Sequence, residues 1–175
     1  VSEEWGGARI EKAQAIIEKY GLHPLTVIQP QYNMMDRYIE HELMDICEKN
    51  GIGITPFSPL AQGLLTGKYK KGQPYPEGSR ATHQADKQVN ALLTDENLDK
   101  VEALSAIAAE LGTNMSVLAL AWILRKDCIS SVITGASKPS QLENNLAAAG
   151  FKIPADALKE IEKILGFKPF SRHVG

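Results

Sequence analysis

The amino-acid sequence predicts an α/β protein built on a parallel sheet, and two observations carry that expectation. Three short apolar runs, residues 25–29, 52–55 and 130–134, are bounded by turn residues, and none alternates cleanly with polar positions, as strands covered on both faces do not. Between them lie segments whose apolar residues recur every three or four positions, and parallel strands need such helical crossovers to connect them. The alternation leaves open whether the sheet is doubly wound or closed into a barrel.

The elements follow in order. Ile10, Ala13, Ile16, Ile17 and Tyr20 mark a first helix, and Gly21 stands where a left-handed C-terminal cap is wanted. Strand 25–29 comes next. Ile39, Leu43, Ile46 and Cys47 then mark a second helix stopped by Asn50-Gly51, and strand 52–55 runs into a turn from Pro56 to Leu60. Residues 61–93 are polar, contain glycine and proline, and keep no sustained period, so they read as one long loop of the kind that carries function or stays disordered. Thr94, followed by Asp95 and Glu96, is an N-cap with acids in the first turn; its helix runs through Leu98, Val101, Leu104, Ala108 and Leu111 to Gly112. A shorter helix spans 115–126. Strand 130–134, a helix from Pro139 to Ala149 and a last helix between Pro154 and Gly166 complete the chain.

Composition excludes several classes of function. A chain of 175 residues, 43% hydrophobic, is ordinary for a globular domain with one core. Its net charge of -2 and the lack of a basic stripe argue against a nucleic-acid partner, since the densest cluster, Lys68, Lys70 and Lys71, reads as a solvated loop. Cys47 and Cys128 both fall in apolar periodic segments and read as reduced core residues of a cytoplasmic protein. The longest apolar run is far short of a membrane span, and no signal-peptide pattern opens the chain. His23, His41, His83 and His173 are scattered without metal-ligand spacing, so no metal site is expected. A start at Val1-Ser2, without Met and in mid-element, reads as a fragment.

Two turns carry the chemistry. In Ile133-Thr-Gly-Ala-Ser-Lys-Pro-Ser-Gln-Leu-Glu-Asn-Asn145 a strand feeds a small-residue turn that opens a helix: Gly135 and Ala136 admit close approach of a ligand, Ser137 and Lys138 offer a hydroxyl and a cation, and the first helical turn has unpaired N–H groups. Phe57-Ser-Pro-Leu-Ala-Gln-Gly-Leu-Leu-Thr-Gly-Lys-Tyr69 follows another apolar strand in the same way. With Gln29-Pro-Gln-Tyr-Asn33 after the first strand and the tail Ile164-Leu-Gly-Phe-Lys-Pro-Phe170, these motifs resemble, in order and over essentially the whole chain, the C-terminal half of an aldo-keto reductase. The likeness is strongest to the bacterial enzymes and potassium-channel β subunits of that superfamily.

The resemblance implies the C-terminal part of a (β/α)8 barrel, from the end of strand five through strand eight and the C-terminal helix, with an added helix before the last barrel strand. The barrel's N-terminal half would be absent from residues 1–175. It further implies NADPH-dependent reduction of a small aldehyde or ketone to an alcohol, in which a tyrosine assisted by lysine, aspartate and histidine supplies the proton. Those four residues belong to the family's first four strands, so no catalytic residue is expected here. Tyr20, Tyr32, Tyr38, Tyr69 and Tyr75 read as ordinary tyrosines. A half-barrel would leave strand edges unpaired, so the chain is expected to need the other half or a second copy, and to be inactive alone. The alternative that the resemblance implies is a regulatory subunit of the channel-β kind.

The same resemblance assigns cofactor contacts. Ser2 and Gln29 match residues that hold the nicotinamide carboxamide, and Phe57 matches the aromatic stacked on that ring. Ser58, Pro59, Leu60 and Gln62 match the turn around the pyrophosphate, with Lys68 and Arg80 as cations closing over it. Gly135, Ser137, Gln141, Asn144 and Asn145 match contacts to the 2′-phosphate and adenine, and Lys138 adds charge there. Donors in place of a carboxylate at that end favour NADP(H). Each position has a plain structural alternative: a capping serine, a loop glutamine, a core phenylalanine, a solvated cation. Two positions depart from the family's usual pattern, Asn144 where a glutamate is frequent and Glu3 where asparagine or arginine follows the serine.

Overall fold

Two strands, β1 (Val27–Ile28) and β2 (Gly53–Ile54), pair in parallel with Val27 opposite Gly53 and Ile28 opposite Ile54. The computed structural model describes residues 5–82, 87–168 and 170, so Ser2 and Glu3 lie outside the described residues. Both strands are shorter than expected from the apolar runs. Pro30 and Pro56 stand two residues beyond them and have no N–H to continue a ladder. Their carbonyls still serve: Pro30 accepts the Phe57 N–H at 3.0 Å and Pro56 accepts the Ile133 N–H at 3.0 Å.

The expected third strand, 130–134, is not a regular strand. Its chain nevertheless runs parallel to β2, joined by the bridge of Ile54 to Ile129 and by hydrogen bonds from Ile54 N–H to Cys128 O (3.1 Å) and from Ser130 N–H to Ile54 O (2.9 Å). Gly53 permits that approach, because a Cβ there would collide with the Ser130 hydroxyl. The segment forms the outer edge of the sheet among the described residues, and Ile133 on it is exposed.

The helices cover this small sheet. Helix α1 (Gly7–Tyr20) ends at Gly21 in the left-handed conformation, as expected. Its apolar stripe is only partly covered, however: Ile10 is buried, whereas Ile16 and Tyr20 are 43% and 64% exposed. The expected helix from Ile39 is broken. It starts as a 3-10 turn, Tyr38–Glu40, and becomes α2 (Leu43–Lys49) only after Glu42, whose φ of -149° interrupts the winding.

The long loop expected over 61–93 is also revised. It opens with 3-10 turns over Ala61–Thr66 and contains the short helix α3 (Lys87–Leu92), too brief to show a period in the sequence. Thr94 caps α4 (Asp95–Glu110), its hydroxyl accepting the Asn97 N–H at 3.2 Å, and Leu98, Val101, Leu104 and Ala108 form the buried stripe. Helix α5 (Met115–Leu124) is apolar all round and almost wholly buried, the pattern of a helix at the centre of a core. Trp122, Leu118 and Ile123 lie at its heart, each contributing roughly 1.5–3 kcal/mol of burial. Helices α6 (Pro139–Leu146) and α7 (Ala155–Leu165) follow; α7 buries Ile161 and Leu165, while α6 buries none of its residues.

A largely buried ionic cluster joins the chain after β1 to α7. Arg37 pairs with Glu40 at 2.7 Å and with Glu162 of α7 at 2.6 Å, and its guanidinium sits 4.8 Å from the centre of the Trp122 ring. Trp122 donates its indole N–H to Glu162 at 3.0 Å, and the Tyr32 hydroxyl donates to Glu40 at 2.5 Å. Burial works to raise the Glu40 carboxyl, but hydrogen bonds from Arg37 and Tyr32 outweigh it and hold the group below the usual carboxylate range. Burial, then the Glu40 charge, pushes the Tyr32 hydroxyl upward, so it stays protonated.

Candidate functional site

The backbone after β2 is unusual. Ser58, Ala61 and Gln62 have φ of 50°, 46° and 56°, and Gly63 follows at 101°. For residues with a Cβ each such angle costs roughly 1–2 kcal/mol. Strain of this kind persists only where neighbours over-determine it, and it gathers at ligand-binding turns. Here the neighbours are explicit: the Ser58 carbonyl accepts from the Ala61 N–H (3.0 Å) and from Asn33 Nδ2 (3.0 Å), and its hydroxyl accepts from Gln62 Nε2 (3.0 Å). Gln62 Oε1 in turn accepts from Arg80, which arrives from the long connection.

This turn forms one wall of a cleft of about 810 Å³, within the 300–1,000 Å³ typical of small-molecule sites. Ser58, Pro59, Leu60 and Gln62 line it, with Lys68 and Arg80 at its mouth. The facing wall is the chain from Ile133 into α6, contributing Gly135, Ser137, Gln141, Asn144 and Asn145. So two turns distant in sequence line a single cleft. Three candidates do not line the cleft: Gln29 is exposed just past β1, Phe57 is half-buried at the bridge to Gln31, and Lys138 is the exposed N-cap residue of α6 without a side-chain capping bond.

The walls are polar and rich in donors. Ser137 N–H and Oγ–H both point to Gln141 Oε1, at 2.8 and 3.2 Å, so one side chain satisfies the small turn. Asn144 Oδ1 accepts from Asn114 Nδ2 at 2.6 Å, and Asn114 also caps α5 by accepting the Val117 N–H at 3.1 Å. Lys68 Nζ lies 5.1 Å from the centre of the Tyr69 ring and close over Gly63. Gly135 is different from Gly63: an added Cβ would meet nothing within 4 Å, and its φ is not left-handed. Nothing in the fold demands glycine there, whereas a ligand lying on that backbone would.

The cleft also uses residues that sequence reasoning missed, among them Thr66, Ser116 and Ser140. Ser140 stood three residues after Ser137, the spacing of one helical turn, and was legible as a neighbour. Thr66 and Ser116 had no such signal. Among the described residues no group of three or more His, Cys, Asp or Glu is placed to hold a metal ion. No single helix among them is long and apolar enough to cross a membrane; α4 and α5 pass the length and composition test only as a pair bent by 88°. Burial pushes the Cys47 thiol up to about 11, with nearby Cys128 adding to the effect, so it is protonated at neutral pH.

The family model described as the Aldo/keto reductase family matches residues 2–166. A protein of Schizosaccharomyces pombe, provisionally named as a voltage-gated potassium channel subunit beta, is 41% identical over 174 residues, covering 96% of this chain and 50% of its own length. An Arabidopsis thaliana protein with the same kind of name is 38% identical, covering 96% of this chain and 52% of its own. The L-glyceraldehyde 3-phosphate reductase of Escherichia coli K12 is 39% identical over 145 residues, 80% of this chain and 41% of its own. The chain thus spans about half the length of the curated relatives it matches. With the family model covering nearly its whole length, the chain belongs to the aldo/keto reductase family.

Proposed function

We propose that the cleft binds NADP(H), and that the protein of which these residues form the cofactor-holding part reduces small aldehydes or ketones to alcohols. One observation carries this: the strained turn after β2 and the small-residue turn before α6 form facing walls of a single cleft lined by hydroxyls, amides and two cations. The residues present fit the group. Gly135 leaves open space that its own fold does not require, Ser58 and Gln62 present hydrogen-bonding groups at a helix-like turn, and Lys68 and Arg80 offer charge to phosphates. When bound, the cofactor would supply hydride to a carbonyl carbon. Within this chain Ser58, Pro59, Leu60 and Gln62 would hold the pyrophosphate, Lys68 and Arg80 would close over it, and Ser137, Gln141, Asn144 and Asn145, with Lys138 near, would hold the adenosine 2′-phosphate. Gln29 and Phe57, with Ser2, would serve the nicotinamide end.

The proton donor and its partners would come from the complementary half of a (β/α)8 barrel, not from this chain. Exposed apolar side chains support that: Ile16 and Tyr20 on α1, and Leu142 and Leu146, 50% and 62% exposed, on α6. A second reading, a channel-β-like regulatory protein acting in the cytoplasm, is favoured by the names of the yeast and plant relatives. The test is titration of the chain with NADPH, with and without the complementary half-barrel, followed by nicotinamide fluorescence and by turnover of a generic aldehyde. Binding to the chain, with turnover only on reconstitution, is the expected result. Turnover by the chain alone would overturn the placement of the proton donor, and no binding in either form would overturn the cofactor assignment. Binding without turnover after reconstitution would favour the regulatory reading.

A further inference from the structure

Asn33 does not line the cleft, yet it is the side chain that joins the turn after β1 to the turn after β2. It is 1% exposed. Its Oδ1 accepts the N–H groups of Met35 (2.8 Å) and Asp36 (3.0 Å), which fixes the orientation of the amide group, and residues 33 and 36 also exchange backbone hydrogen bonds at 3.0 and 3.1 Å. With the carbonyl end thus committed, Nδ2 faces the Ser58 carbonyl and donates to it at 3.0 Å. Ser58 is where the left-handed turn begins. Its hydroxyl is the group tied to Gln62, and through Gln62 to Arg80.

Resting on the dinucleotide reading above, we propose that Asn33 is a positioning residue for the phosphate-binding wall: its amide pins the Ser58 peptide in the left-handed conformation, and so sets where the Ser58 hydroxyl and the N–H groups of the turn are presented. A carboxamide suits the task because it combines an acceptor, used locally, with a donor aimed at a carbonyl. The carboxylate Asn33→Asp keeps size and the two accepted bonds but sets an acceptor against the Ser58 carbonyl.

The experiment compares two ligands in whichever form of the protein binds NADPH. NADPH spans both walls, whereas adenosine 2′-monophosphate has no pyrophosphate and reaches only the wall from Gly135 to Asn145. Asn33→Asp is expected to weaken NADPH about tenfold, the worth of one hydrogen bond, and to leave adenosine 2′-monophosphate unchanged. An equal loss for both ligands, or no loss for NADPH, overturns the proposal. If neither ligand binds the unsubstituted protein, the cofactor reading fails, and hydrogen exchange decides this one: Asn33→Asp is expected to speed exchange at the Ala61, Gly63 and Leu65 amides and leave α7 unchanged, and unaltered exchange at those three amides overturns it. Should Asn33→Asp fail to fold, Asn33→Ser, too short to reach Ser58, is measured by the same criteria.

Discussion

The two walls of the cleft are built in opposite ways. The wall after β2 stands on the core: Pro59 and Ala61 are buried, three residues with side chains are held at left-handed angles, and the carbonyl and hydroxyl of Ser58 each accept a hydrogen bond from a named partner. The wall from Gly135 to Asn145 is mostly exposed, free of left-handed angles, and tied by the local bonds of Ser137 to Gln141 and by one bond from Asn114 to Asn144. On the proposed dinucleotide reading, a wall held by burial and local hydrogen bonds suits a group that every dinucleotide shares. On the same proposal, a more exposed wall suits the end of the ligand that distinguishes one dinucleotide from another.

Three substitutions test that contrast. The largest effect is expected in the core, at the ionic cluster: Arg37→Ala removes the buried guanidinium from Glu40 and Glu162 and should cost about 3 kcal/mol in urea unfolding. A loss below about 1 kcal/mol would mean that the ionic cluster adds little to the stability of the core. Next, Gly63→Ala should cost about 1–2 kcal/mol, because φ is 101° there and the new Cβ presses on Lys68. The smallest change in stability belongs to the exposed wall. Gly135→Ala should leave the unfolding midpoint within about 0.5 kcal/mol of the original, while NADPH affinity drops about tenfold. If Gly135→Ala instead destabilised the chain as much as Gly63→Ala does, the two walls would not differ as described.

Much of this was legible in the residues. The order of strands and helices, the cap at Thr94, the stop at Gly21 and the two motif turns all rest on local chemistry, which a sequence displays directly. What stayed hidden depends on partners distant in the chain. Asn33 read as part of a motif, but its bond to Ser58 spans 25 residues. Ile16 and Tyr20 read correctly as part of a helical stripe, yet whether such a stripe is covered depends on neighbours, and the described residues bury Ile10 while leaving Ile16 and Tyr20 exposed. Strand 130–134 had the right residues, but among the described residues its chain meets β2 through one isolated bridge and a few hydrogen bonds, short of a regular ladder. The left-handed angles at Ser58, Ala61 and Gln62 had no sign at all, since none of the three is glycine.

The pairing of Arg37 with Glu162 spans 125 positions, and it has a bearing on biosynthesis. While the polypeptide is still being made, the guanidinium has only Glu40 of its two carboxylate partners and must remain hydrated until α7 leaves the ribosome. The nascent chain therefore cannot complete this buried cluster early: the pairing waits until α7, 125 positions after Arg37, has been translated.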